Sequence, residues 1–146
     1  MSLVRLSLAL LLTGMGVSAA LGQTPGPDRP EAVPDTVVYR VSSAFQSGNA
    51  QRLLSPAAAR VEISLFGTRT FYSDAQAFYV LREFFDTHPP THFALADTTG
   101  AGTSCFLRGR LEHARDERIL QVYVRLVRQE SDAWLLHEVR IGAGTE

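Results

Sequence analysis

The sequence predicts an α+β domain. Three observations carry the prediction. Residues 72–90 form a capped amphipathic helix with a double-proline stop. The region before them holds a second helical apolar pattern closed by glycine. The region after them alternates apolar and polar residues with the period of a β-strand.

Asp35 opens the first helix, with Val38, Val41 and Phe45 on one face, Val37 and Ala44 beside them, and Gly48 as the closing residue. Asn49 caps a short second helix carrying Leu53 and Leu54, stopped by Pro56. Val61, Ile63 and Leu65 alternate with Glu62 and Ser64 as a strand; Gly67-Thr68 turns the chain, and Thr70, Phe71 and Tyr72 return as its partner. Ser73 then caps the main helix, with Gln76 at capping-box spacing and Asp74 at the positive end of the dipole. Phe78, Leu81 and Phe85 recur on its apolar face, widened by Ala77, Val80 and Phe84. Tyr79, Arg82, Glu83 and Asp86 fall opposite. An apolar arc this wide calls for cover on two sides, most simply a curved sheet and another helix. His88 and Pro89-Pro90 end the helix.

Phe93 and Leu95 follow among alanines, and Gly100-Ala-Gly102 marks a turn. Cys105, Leu107, Gly109 and Leu111 then alternate against Phe106, Arg108, Arg110 and Glu112. Leu120, Val122, Val124 and Leu126 alternate against Gln121, Tyr123, Arg125 and Val127. In the last strand, Leu135, Val139 and Ile141 share one face with His137, and Trp134, Leu136, Glu138 and Arg140 the other. The short turns between these strands favour antiparallel hairpins.

The ends of the chain read differently. Arg5, the apolar run over residues 6–17 and the small residues Ser18, Ala19, Ala20 and Gly22 compose a secretory signal peptide over residues 1–22. Residues 23–34 hold four of the seven prolines and read as a disordered leader. The domain then spans residues 35–142, followed by a short tail over 143–146. This organisation implies export to the periplasm or beyond the cell, with no membrane anchor once the signal is cleaved. Cys105 is the single cysteine, so an internal disulfide is excluded and the residue is expected in the core. All 14 basic residues are arginine. Without the signal peptide, 13 arginines face 15 acidic residues, a balance that gives no case for nucleic-acid binding.

The segments FQSGNAQRLL, VEISLFG, FYSDAQAFYVLREFFDTHPP and WLLHEVRI resemble domain of unknown function 4783, a family of exported bacterial proteins. The order of elements is similar to the nuclear transport factor 2-like fold, shared by ketosteroid isomerase relatives. The resemblance implies a cone: a strongly curved antiparallel sheet with three helices packed in its concave face. It carries no chemistry with it.

A cone implies a pocket, for which Tyr72, Phe78, Cys105, His113 and His137 are the candidate lining residues. His113 precedes the charged stretch ARDER, so a solvated strand end is expected for it. The opposite sheet face should present Phe106, Arg108, Arg110, Tyr123, Arg125, Trp134 and Arg140, a mixture of arginine and aromatics that interfaces enrich. The leading expectation is a non-catalytic binding module, homodimeric through that face and able to take a small apolar ligand or a protein partner. The alternative is a small pocket enzyme, an isomerase, dehydratase or hydrolase, using His137 with a carboxylate such as Asp97. No cofactor is expected. Nor is a metal, since the prolines between His88 and His92 prevent helical ligand spacing and no further ligands complete a set.

Overall fold

A computed structural model describes residues 32–144. The expected signal peptide and nearly all of the leader lie outside the described residues. Three helices, α1 (Asp35–Ser47), α2 (Ala50–Leu53) and α3 (Asp74–Thr87), interleave with six strands: β1 (Ala57–Leu65), β2 (Thr68–Ser73), β3 (Pro90–Ala101), β4 (Ser104–His113), β5 (Asp116–Arg128) and β6 (Trp134–Ala143).

Local chemistry sets the helix ends. Gly48 adopts φ 64 at the C-terminus of α1, and Asn49 accepts the Arg52 amide to start α2. At α3 the Ser73 hydroxyl accepts from the Gln76 amide at 3.2 Å, and the Gln76 side chain accepts from the Ser73 amide at 3.1 Å. Ser73→Ala removes one of these two bonds. The expected loss is about 1 kcal/mol, read as a thermal midpoint lowered by about 5 °C.

The strands form one curved sheet in the order β2-β1-β6-β5-β4-β3. Every neighbouring pair is antiparallel except β1 and β6, which run parallel. That pairing has no mark in the sequence, because it joins strands from opposite ends of the domain. The helices cover the concave face: α1 packs on β3 and β4, α3 on β1 and β2, and α2 bridges the two helices. The Gln46 amide fixes α1 over the edge strand, accepting from Phe93 N at 2.8 Å and donating to Thr91 O at 3.2 Å.

The buried face of α3 is Ala77, Leu81, Phe84 and Phe85, while Phe78 sits half-buried at the margin. The β1–β2 connection is a two-residue turn, Phe66-Gly67, with φ of 50 and 88. Two positive φ values are the geometry of a type I′ hairpin turn, where asparagine or glycine is usual and an aromatic residue is strained.

Candidate functional site: a filled cone and a patterned outer face

The concave interior is occupied by side chains. Phe45 is fully buried, with its ring edge-on to Phe85 at 5.9 Å and stacked on Phe93 at 5.1 Å. Phe93 lies over Gly109, which has no side chain to obstruct the ring. Leu81, Leu107, Leu111, Val124 and Leu126 fill the space around them. The described recesses lie outside this core. One of about 440 Å³ lies between α2 and the start of α3, against Leu54 and Phe78. A larger, open groove of about 1020 Å³ runs beside Arg110, Asp116, Arg118 and Gln121.

The residues expected to line a pocket are therefore placed differently. Cys105 is 1% exposed within the core, where burial pushes its thiol up. Tyr72 and Phe78 are half-buried and pack against the core margin. His113 is not a solvated strand end: its side chain is 2% exposed, with the ring of His88, the residue that ends α3, edge-on to it at 5.1 Å and Asp116 Oδ1 3.5 Å from its Nε2.

A β-bulge corrects the reading of the last strand. Arg125 pairs with Glu138 and Leu126 with Leu136, so His137 is the extra residue. The insertion reverses the alternation. Trp134 and Leu136, expected outside, are buried in the core, and Trp134 is not a residue of the outer face. Leu135 pairs with Val127 and is half-buried. His137 has a buried Nε2 with no partner. Burial, and then the Arg125 charge, lowers its pKa.

Asp97 is not beside His137. It accepts a hydrogen bond from Arg108 on the neighbouring strand, and three strand spacings, roughly 14 Å, separate β3 from β6. The proposed acid-base pair does not form. Among the described residues no group of three or more His, Cys, Asp or Glu could hold a metal ion, and no helix is long and apolar enough to cross a membrane.

The convex face carries the organised pattern. Directly paired residues on adjacent strands project to the same side of a sheet, so the register defines two adjacent rows across all six strands. One runs Phe71, Glu62, Glu138, Arg125, Phe106, Thr99. The next runs Arg69, Ser64, Arg140, Tyr123, Arg108, Asp97. Glu62 and Glu138 are directly opposed, and both are buried. Like charges in that relation repel. Arg69 bonds Glu62, Arg140 bonds Glu138, and Arg125 Nε lies 3.4 Å from the second oxygen of Glu138. Arg140 also lies over the Tyr123 ring at 5.0 Å, and Tyr123 stacks on Phe106 at 5.9 Å. At the edge, Arg60 sits 5.6 Å from the centre of the Phe71 ring, which is 56% exposed. Arg110 lies farther along the same face, paired with Gln121. The outer face thus holds aromatic surface and arginines fixed by carboxylates, with Arg69, Arg108 and Arg140 more than half exposed.

Helices seated in the concave side of a curved six-stranded sheet define the nuclear transport factor 2-like class. The chain belongs to the family of domain of unknown function 4783, whose model matches residues 38–142. A family protein from Bacteroides ovatus superposes with a TM-score of 0.69 at 23% identity, covering 78% of this chain and 97% of that one. A nuclear transport factor 2-like protein of unknown function from Shewanella baltica gives 0.57 at 13%, covering 77% and 91%. A putative ketosteroid isomerase from Shewanella frigidimarina gives 0.59 at 16%, covering 73% and 92%. No curated protein matches the chain.

Proposed function

We propose that this protein is a non-catalytic interaction module that pairs with a second copy of itself through the convex sheet face. The observation that carries the reading is the pair of rows crossing all six strands. Aromatic rings there supply apolar contact, and arginines already held by carboxylates lose little freedom on docking. A two-fold interface places such a surface against itself, so arginines of one copy can reach carboxylates and rings of the other. The filled cone supports a binding role over catalysis, because among the described residues core side chains occupy the concave interior and His137 and Asp97 stand three strands apart.

Light scattering over a concentration series tests the reading. The expected result is a dimer at micromolar concentrations. Arg108→Glu should weaken it at least about tenfold. Arg108 is well exposed and makes a single surface ion pair, so its loss leaves the fold intact. A monomer at every concentration overturns the proposal.

We also infer export, which rests on the pattern of residues 1–22. Mass spectrometry of the protein recovered from its host should find a mature chain beginning near residue 21 or 23. A cytoplasmic chain retaining Met1 overturns this.

A further inference from the structure

Two arginines, Arg40 and Arg52, line a recess of about 350 Å³ between α1 and α2, together with Asn49, Gln51 and Ser55. Arg40 lies midway along α1 and is half-buried. Its Nη2 donates to Trp134 O at 3.3 Å, and its Nε is buried without a partner. Ser43, one turn further along α1, ties Arg52 to the same stretch of helix. Its hydroxyl donates to Arg40 O at 3.1 Å and accepts from Arg52 Nη1 at 3.2 Å. Asn49 Oδ1 accepts from the Arg52 amide at 2.9 Å, which leaves the Asn49 NH2 group as a donor.

We propose that this recess binds a phosphate group, held between Arg40 of α1 and Arg52 of α2. The lining gives the sign of the ligand. All five side chains offer hydrogen-bond donors, and none is a carboxylate. On the convex face the arginines have carboxylate partners: Arg69 has Glu62, Arg108 has Asp97, and Arg125 and Arg140 share Glu138. Among the described residues Arg40 and Arg52 have none. A guanidinium drawn partly out of water beside a carbonyl oxygen is left with its charge uncompensated. Burial accordingly pushes the Arg40 pKa down. An anion in the recess supplies the missing charge.

Two arginines favour a phosphate over a carboxylate. A phosphate group carries about −1.5 to −2 charges near neutral pH, which two guanidiniums balance. A carboxylate would leave one of them over. Each guanidinium also matches the spacing of paired phosphate oxygens. Ser43 already fixes the Arg52 side chain beside α1, so Arg52 loses little freedom when a ligand arrives. The phosphate can be free or esterified. Gln51 and Ser55 also border the neighbouring recess of about 440 Å³ against Leu54 and Phe78, which gives the carbon side of an ester an apolar surface. Asp74 stands in that second recess and confines the phosphate to the arginine end. Both recesses lie among the helices and away from the convex face, so their occupancy is separate from dimerisation.

Titration of the intact protein with inorganic phosphate, phenyl phosphate and acetate, at constant ionic strength and about pH 7.5, tests the site. Inorganic phosphate should saturate one site with a Kd on the order of 1 mM or tighter, and acetate should bind at least about tenfold more weakly. Phenyl phosphate binding about tenfold tighter than inorganic phosphate assigns an ester, since burying about half of its ring gains that much. Equal affinity assigns free phosphate. Arg52→Gln should weaken phosphate at least about tenfold. Arg52 is exposed and its guanidinium rests on the Ser43 hydroxyl, so the fold does not depend on it. Arg40→Gln should weaken binding as much, and the Arg52 variant decides even where Arg40→Gln fails to fold. Arg82→Gln, on the exposed side of α3, should bind as the wild type does. No saturable binding of either phosphate up to about 20 mM, acetate as tight as phosphate, or wild-type affinity in Arg52→Gln would each overturn the site.

Discussion

Phe45→Ala is expected to destabilise the domain by about 3–5 kcal/mol. The Phe45 ring is fully buried between Phe85 and Phe93 at the junction of α1, α3 and β3, so its removal strands the faces of both neighbours. Urea unfolding measures the loss, with the midpoint shifted and the slope unchanged. A domain of this size holds about 5–15 kcal/mol in total, so the variant should be partly unfolded near physiological temperature. A loss below about 2 kcal/mol would mean that the ring borders empty space already. The interior would then be a pocket, and the case against pocket chemistry would weaken. The alanine variant supplies a second readout: benzene, which fits an apolar cavity of that size, should restore part of the loss.

Gly109→Ala is expected to cost about 3 kcal/mol, near the upper range for overpacking. A β-carbon at this position would lie 2.4 Å from Phe93 Cζ, 2.6 Å from Phe93 Cε2 and 2.9 Å from the Ala94 carbonyl oxygen. The ring cannot move away without giving up its stack on Phe45, and the carbonyl belongs to the β3 backbone. The two contacts separate in a double-mutant cycle. In a Phe93→Ala background the clash with the ring vanishes and the carbonyl remains, so the added cost of Gly109→Ala should fall to about 1 kcal/mol. An unchanged cost in that background would assign the strain to the backbone instead of the ring.

The parts of this fold that were legible in the sequence are those fixed by near neighbours. The Ser73–Gln76 capping box, the Gly48 helix end and the Pro89-Pro90 stop are local chemistry, and α1, α2 and α3 lie where that chemistry puts them. The alternation of β4 and β5 was equally plain, because a single register runs through most of each strand. What was not legible depends on distant partners. WLLHEV offers apolar residues in both phases, so nothing in it reveals the bulge at His137 or the inward turn of Trp134. The outer rows were half visible: Phe106, Arg108, Tyr123, Arg125 and Arg140 followed from alternation. Their completion by Glu62, Arg69 and Phe71 required the parallel pairing of β1 with β6. The burial of His113 was hidden for the same reason, since the charged residues after it suggest solvent and the ring packed against it is that of His88, 25 residues earlier.

The position of β6 has a consequence for how the chain reaches this state. β1 touches the remainder of the sheet through β6 alone, so the β1–β2 hairpin with α3 and the β3–β4–β5 meander with α1 form two half-cones until the final strand slides between them. The seam closes only when residues 57–65 meet residues 134–143, a contact between distant parts of the chain whose closure entropy must be met before any of it is rewarded. Synthesis from the N-terminus therefore delivers the fastener last. A growing chain carries two strand edges that the finished sheet lacks, β1 and β5, and stays unsealed until β6 arrives. A lesion in β6 would prolong that interval more than one of equal severity in either outer edge strand, because only β6 joins the two halves of the sheet.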